Sequence, residues 1–253
     1  MPAPELARLT WRDAGKALRR ARVALVPVGA TEQHGPHMTL DTDTAIAEAF
    51  ARRLGHALGD DAIIMPTIPM GMSEHHLAFA GTMTLRASTL MGLVQDVVAS
   101  CARNGLKRIV LINGHGGNID PLRLVAREAA RDGVAEVASI IWAVLAADLI
   151  RERAATPFHS HACDIETSVA MAIAPQTVIA DRIEAPEPPS GQPEPLAEPR
   201  SPYDIPVPFE QWTANGAIGD PRLATRELGE EIVALAESRA LDFIHRFIGT
   251  SER

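Results

Sequence analysis

The sequence predicts an α/β fold in which a mostly parallel sheet is sandwiched between helices. Short apolar segments rich in β-branched residues recur along the chain, as is typical of strands buried on both faces. Segments with helical periodicity separate them, and this alternation favours parallel strands covered by helices on both sides. The length of 253 residues fits one large domain, so we expect a single domain over residues 1–253.

The first half of the chain contains two predicted strands. Residues 22–28 form a short apolar run, and residues 43–55 follow with the pattern of a helix. Residues 62–66 predict the second strand. Residues 87–105 predict a long helix, because apolar residues recur there three and four positions apart.

The second half begins with the clearest strand of the sequence. Residues 108–112 are almost wholly apolar and β-branched, and residues 119–133 then predict a helix. Residues 134–142 predict a fourth strand. Residues 219–248 end the pattern with a capped C-terminal helix.

A proline-rich segment interrupts the pattern between the fourth strand and the C-terminal helix. Residues 184–208 hold nine of the 19 prolines, which excludes regular helix or strand there. Two interpretations stay open for this excursion. It is either a flexible surface segment or an extended arm that packs on a neighbouring subunit.

Composition excludes several classes of protein. The net charge of −8 argues against nucleic acid as the main partner. No apolar run approaches the ~20 residues of a membrane span, and the first residues lack the order of a secretory signal. The two cysteines do not suggest a disulfide framework. We therefore expect a cytoplasmic protein whose partner is a small-molecule substrate.

Metal-capable side chains follow two of the predicted strands. Glu32 and His34 are two residues apart and can face one point, and Asp43 can turn back toward them from the next helix. His115 stands among glycines after the strand 108–112. Each could belong to a polar loop, but their joint occurrence at strand ends favours a metal site. Mixed carboxylate and imidazole donors suit Zn²⁺, Mn²⁺ or Fe²⁺, and a bridging acid would give a binuclear hydrolytic centre.

Two further groups could contribute to this site. His161 and Glu166 lie five residues apart across the predicted start of a helix, where Glu166 could be a ligand or could stabilise the helix dipole. Residues 74–76 carry Glu-His-His in a loop after the second strand. That loop could cover the site or could be an ordinary polar loop.

Three motifs together resemble those of the creatininase (creatinine amidohydrolase) family. They read PVGATEQHGPHMTLDTDT, INGHGGN and HACDIETS, and the likeness runs from about residue 10 to the C-terminal helix. The resemblance implies a three-layer α/β/α sandwich, two divalent metal ions per chain and assembly as a homohexamer. It also implies hydrolysis of a cyclic amide or a small amide-like substrate through a metal-activated water.

The resemblance also implies a role for individual residues. Asp43 matches the acid that bridges the two ions, and His161 matches the histidine that assists proton transfer. The other implied ligands are Glu32, His34, His115 and Glu166. The residues expected to contact substrate are His76, Gly116 and Gly117.

Two departures from creatininase bear on the substrate. Gly116 and Gly117 stand where creatininase itself has a tyrosine and a glutamate, and Tyr203 is the only tyrosine of the chain. An aromatic clamp on creatinine is therefore poorly supplied. A formylamino-pyrimidine nucleotide, a peptide terminus and a keto-inositol ring stay open as other substrates, and so does a metal-containing protein that binds a ligand without catalysis.

Overall fold

The computed structural model describes residues 1–156, 159–189 and 206–249 and has the predicted three-layer architecture. Its central sheet contains four strands in the order β2-β1-β3-β4, and every neighbouring pair is parallel. The predicted mostly parallel sheet is thus confirmed. The strands are β1 (Val23–Val28), β2 (Ala62–Ile64), β3 (Arg108–Asn113) and β4 (Glu136–Ile141).

Helices cover both faces of the sheet. Among the described residues no helix is both long and apolar enough to cross a lipid bilayer. The α-helices in the described part of the chain are α1 (Trp11–Arg20), α2 (Thr42–Leu58), α3 (Ala87–Arg103), α4 (Ile119–Arg131), α5 (Trp142–Leu145), α6 (Ala147–Arg153), α7 (Asp164–Ile173) and α8 (Arg226–Gly249).

Alternation along the strands divides the core into two apolar layers. Val23 and Leu25 of β1 point to the layer formed with α2, α5, α6, α7 and α8. Ala24 and Val26 point to the other side, where α1, α3 and α4 pack. Because side chains of a strand alternate between its faces, a strand buried on both sides reads as a continuous apolar run. This burial explains why the strands could be recognised from the sequence.

Every predicted helix and strand differs by at least one residue from its observed bounds, and three of the differences have a local cause. Strand β2 ends at Ile64 because Pro66 has no amide hydrogen for the ladder. Strand β4 ends at Ile141, since Trp142 already begins α5. Helix α8 begins only at Arg226, after a short 3₁₀ turn at Pro221–Leu223.

The proline-rich excursion lies mostly outside the described residues, which omit 190–205. Its described ends contain no helix or strand. Residues 184–189, the N-terminal end of the excursion, are bonded to the chain that follows it, since the amide of Ala214 donates to the Glu187 carbonyl at 2.9 Å. Asn215 also donates its side-chain amide to the carbonyl of Ala185 at 2.9 Å.

Helices α7 and α8 approach each other closely at Gly229. A Cβ atom at this position would overlap the backbone carbonyl of Ser168 on α7 and crowd the side chain of Ala172. The neighbouring backbone is also joined across this contact, because the Thr225 amide donates to the Ser168 hydroxyl at 2.9 Å. The absence of a side chain therefore sets the distance between the two helices.

We predict that Gly229→Ala lowers the free energy of unfolding by about 1 to 3 kcal/mol, the usual cost of overpacking a core. The matched control is Gly92→Ala in α3, where a Cβ meets no atom within 4 Å. That change should stabilise the protein by roughly 0.4 to 1 kcal/mol through a less flexible unfolded chain. Chemical denaturation of both variants measures the difference. Equal effects of the two substitutions would contradict the assigned contact.

Candidate metal centre

The strand order places two loops side by side at one edge of the sheet. The chain moves from β1 outward to β2, then returns to the other side of β1 with β3. The carboxyl ends of β1 and β3 are neighbours, since Val28 pairs with Asn113. Ligands of open parallel sheets bind at such a reversal of strand order. The loops that follow β1 and β3 carry the predicted metal-capable residues.

Gly114 brings the start of α2 against the end of β3. Its amide donates to the Val28 carbonyl at 2.8 Å, which ties the two strand ends together. A Cβ atom at Gly114 would overlap the backbone carbonyl of Asp43. Asp43, one residue after the helix begins at Thr42, therefore lies directly above both strands. The missing side chain at Gly114 permits this close approach of the backbone.

The two carboxylate oxygens of Asp43 face two different histidines. Oδ2 lies 3.1 Å from Nδ1 of His115, and the same nitrogen lies 3.2 Å from Oε1 of Glu32. Oδ1 lies 3.1 Å from Nε2 of His34, which is 3.8 Å from Oε1 of Glu166. Two sets of donors, each with one histidine and one glutamate, thus share a single aspartate.

Backbone carbonyls fix which nitrogen of each histidine faces the cluster. His34 donates from Nδ1 to the carbonyl of Glu32 at 3.2 Å, and His115 donates from Nε2 to the carbonyl of Met72 at 2.9 Å. These bonds leave His34 Nε2 and His115 Nδ1 as lone-pair donors directed at the carboxylates. Hydrogen bonds of this kind commonly orient histidines that bind metals.

The chemistry of the cluster fits a divalent cation. Glu32 is fully buried, and neither of its carboxylate oxygens accepts a hydrogen bond. The same holds for Oδ2 of the buried Asp43. Buried charges require a partner of opposite sign, and lone pairs on histidine do not supply one. Four groups of described residues bring three or more possible ligand atoms within 4.8 Å of one another, and all four include Glu32 or Glu166.

The pKa values reflect the same shortage of positive charge. Burial opposes protonation of His34, but Asp43 and Glu166 raise its pKa well above the ordinary value. Burial likewise opposes protonation of His115, and Glu32 and Asp43 raise its pKa. A metal cation at the same place would satisfy the carboxylates without that proton.

Comparison with known proteins agrees with this geometry. The family model described as creatininase, creatinine amidohydrolase, matches residues 7–244. The chain belongs to the creatininase family. This confirms the family resemblance of the three sequence motifs.

Relatives within the creatininase family differ in the activity for which they are named. The mycofactocin precursor peptide peptidase of Mycolicibacterium smegmatis is 34% identical over 231 residues, covering 89% of this chain and 85% of its own. The creatinine amidohydrolase of Pseudomonas putida is 30% identical, covering 93% and 94%. A solved creatininase named as the Mn form is 28% identical with a TM-score of 0.79, covering 99% of this chain and 100% of its own.

His161 lies beside both donor sets. Its Nε2 donates to the Gln33 carbonyl at 2.7 Å, so its Nδ1 faces Glu32 at 3.9 Å and Glu166 at 3.8 Å. Burial and the neighbouring His34 lower the pKa of His161, which favours the neutral ring. The residue expected to carry protons is therefore placed with a free nitrogen toward the cluster.

The Glu-His-His loop covers the cluster, so the structure answers a question that the sequence left open. His76 is buried, accepts a hydrogen bond from the Gln33 side chain at 2.9 Å and places Nε2 3.3 Å from Glu32. The ring of His75 stacks on His115 at 5.6 Å between centroids. His76 thus belongs to the interior of the centre, and its contact with substrate stays a prediction.

Phe209 is a site residue that sequence reasoning missed. Its ring packs edge-on against His75, His76 and His161, with centroid distances of 5.0, 4.1 and 5.3 Å. It follows directly after the proline-rich excursion, in a short 3₁₀ turn. The single tyrosine of the chain predicts few aromatic rings at the site. A phenylalanine distant in sequence supplies an aromatic ring over the histidines.

The two glycines after His115 occupy different places. Gly116 is exposed and lines a cavity beside Glu166. Gly117 lies below His75, where a Cβ would overlap the carbonyl of Met72. Gly116 is therefore accessible for the predicted substrate contact. The close packing around Gly117 explains why glycine stands there without reference to a substrate.

We predict that Asp43→Ala abolishes binding of both ions, because the two donor sets share this carboxylate. The purified, metal-loaded protein should contain close to two divalent ions per chain and the variant close to none, as measured by elemental analysis. The matched control is Asp41→Ala, since Asp41 is exposed and its carboxylate accepts a hydrogen bond from the Thr39 hydroxyl at 2.5 Å. Full metal content in Asp43→Ala would exclude a bridging role.

Proposed function

We propose that the protein is a binuclear metal-dependent amidohydrolase that cleaves the carbon–nitrogen bond of a cyclic amide or a small amide-like substrate. One observation carries this proposal, namely the division of Asp43 between two histidine–glutamate pairs. A site that only stabilised the fold would not need a shared carboxylate between two buried sets of lone-pair donors. The family relatives support hydrolysis as the reaction class.

Two divalent ions, held by Glu32, His34, Asp43, His115 and Glu166, would supply a water of lowered pKa and polarise the substrate carbonyl. Zn²⁺ and Mn²⁺ suit these donors, and the Mn form of the related creatininase supports manganese. Chemistry of this kind requires a group that moves a proton to the departing nitrogen.

His161 is the side chain best placed to move that proton. Its Nε2–H is committed to the Gln33 carbonyl, so the exchangeable site is Nδ1. Nδ1 can take a proton released during attack and give it to the leaving nitrogen. The lowered pKa of the buried ring keeps Nδ1 free to accept at neutral pH.

Phe209, His75 and His76 would limit the access of bulk water to the reacting atoms. Their rings pack together above Glu32 and His161. Exclusion of water strengthens the electrostatic interactions on which such a site depends. The proposal thus assigns residues to metal binding, to proton transfer and to covering the centre.

Cleavage of a peptide is the second candidate function. The 34% identity to the mycofactocin precursor peptide peptidase favours it, since the shared stretch covers 89% of this chain. The same donor sets serve either substrate, because a peptide bond and a lactam present the same carbonyl and nitrogen. A single domain over residues 1–253 and assembly as a homohexamer stay predictions.

The experiment that tests the function is a substrate screen with protein loaded with Mn²⁺ or Zn²⁺. Cyclic amides including creatinine, formamides and short peptides should be compared by mass-spectrometric detection of the hydrolysed product, with Asp43→Ala as the inactive control. Turnover of at least one amide class by the wild type and by no class in Asp43→Ala is the expected result. Equal activity of the two proteins would contradict the proposal.

We predict that His161→Ala lowers kcat by about two to four orders of magnitude, the usual contribution of a positioned acid or base. Metal content should stay nearly intact and KM should change less than kcat. The matched control is His56→Ala on the exposed side of α2, which should retain both. Loss of metal in His161→Ala would make His161 a ligand, and unchanged kcat would remove it from the mechanism.

A further inference from the structure

A cavity of about 470 Å³ adjoins the candidate metal centre on the side of β4. Gly114, Gly116 and Glu166 form the part of its wall that belongs to the centre. Glu166 is the link between the two, because the same carboxylate lies 3.8 Å from His34. A substrate that reaches the ligands can therefore extend into this space.

The cavity is larger than a small cyclic amide requires. Its volume of about 470 Å³ is typical of pockets that hold drug-sized ligands rather than a single small ring. The space lies within the usual range for ligand pockets, about 300 to 1,000 Å³.

The wall away from the centre is mostly apolar. Ile141, Val144, Ile150 and Ile165 contribute to it, so an aliphatic or aromatic group would fit there. Trp142 also lines the cavity, and its side chain is 5% exposed. The indole Nε1–H has no hydrogen-bond partner within the described part of the chain. A buried donor without a partner favours a ligand that brings an acceptor.

Arg151 is a positively charged side chain that lines this cavity. It is exposed, whereas the Glu166 side chain is 14% exposed, so Arg151 lies toward the outer end and Glu166 toward the inner end. Among the described residues its guanidinium forms no ion pair and no hydrogen bond. Arg153, two residues later on α6, is instead paired with Glu231 at 3.3 Å. The difference leaves Arg151 available to an anion.

We propose that Arg151 determines specificity by binding a carboxylate of the substrate. The substrate class is then an amide that carries an apolar side chain and a carboxylate, such as an acylated amino acid or the end of a short peptide. The amide lies at the metal centre, the apolar group lies against Ile141 and Ile150, and the carboxylate meets the guanidinium. This inference rests on the proposed function, because it assigns the bond to be cleaved to the same centre.

The test measures binding of two probes to the Mn²⁺-loaded protein by calorimetry. N-acetyl-leucine carries the carboxylate, and N-acetyl-leucinamide replaces it with a neutral amide. The wild type should bind the acid about tenfold more tightly than the amide, as expected for one charged hydrogen bond near the surface. Arg151→Gln should remove this preference, with little change for the amide. Arg153→Gln, on the same helix but paired with Glu231, should retain it.

Three results would overturn the proposal: failure of the wild type to bind the acid, equal binding of the two probes by the wild type, and persistence of the preference in Arg151→Gln. The last result would indicate that the carboxylate binds the metal ions directly. Binding does not depend on turnover, so the substrate screen can fail while the preference for the acid persists. That combination would remove the proposed hydrolysis and keep the role of Arg151.

Discussion

The candidate metal centre depends on the crowding of three carboxylates, the buried Glu32 and Asp43 and the partly exposed Glu166, around two histidines. Like charges at this distance repel, and burial removes the water that would screen them. Imidazole rings oriented by backbone carbonyls offset part of this repulsion. Bound cations would offset the rest, because two of the carboxylates keep buried oxygens without a hydrogen bond.

The fold confines these charges to one edge of the sheet. The sheet and its helices are built from apolar strands and two separate apolar layers, and the cluster lies outside these layers. Glu32 lies in the loop after β1, and Asp43 and Glu166 lie in the first turns of α2 and α7. The strands and helices therefore set the distances between the candidate ligands. Charge is thus buried at a few residues along one edge of the sheet.

Local signals in the sequence indicated Glu32, His34, Asp43 and His115 as candidate ligands, whereas they left open whether Glu166 is a ligand or stabilises the helix dipole. Glu32 and His34 share one side of an extended segment, and His115 lies at the end of an unmistakable strand. Phe209 and Arg151 gave no such signal. Phe209 reaches the histidines only through the packing of a segment far away along the chain. The role of Arg151 depends on its lack of a partner, which is a property of three-dimensional packing that periodicity does not report.

The contact between α7 and α8 has a consequence for the order of events during synthesis. Glu166 belongs to the first turn of α7, and α7 is held in place by α8, whose last described residue is Gly249. Glu32, Asp43 and His115 leave the ribosome well before that helix. One half of the cluster can thus be assembled on a nascent chain, whereas the half that includes Glu166 waits for the C-terminal helix. Translation itself then separates the completion of one donor set from that of the other.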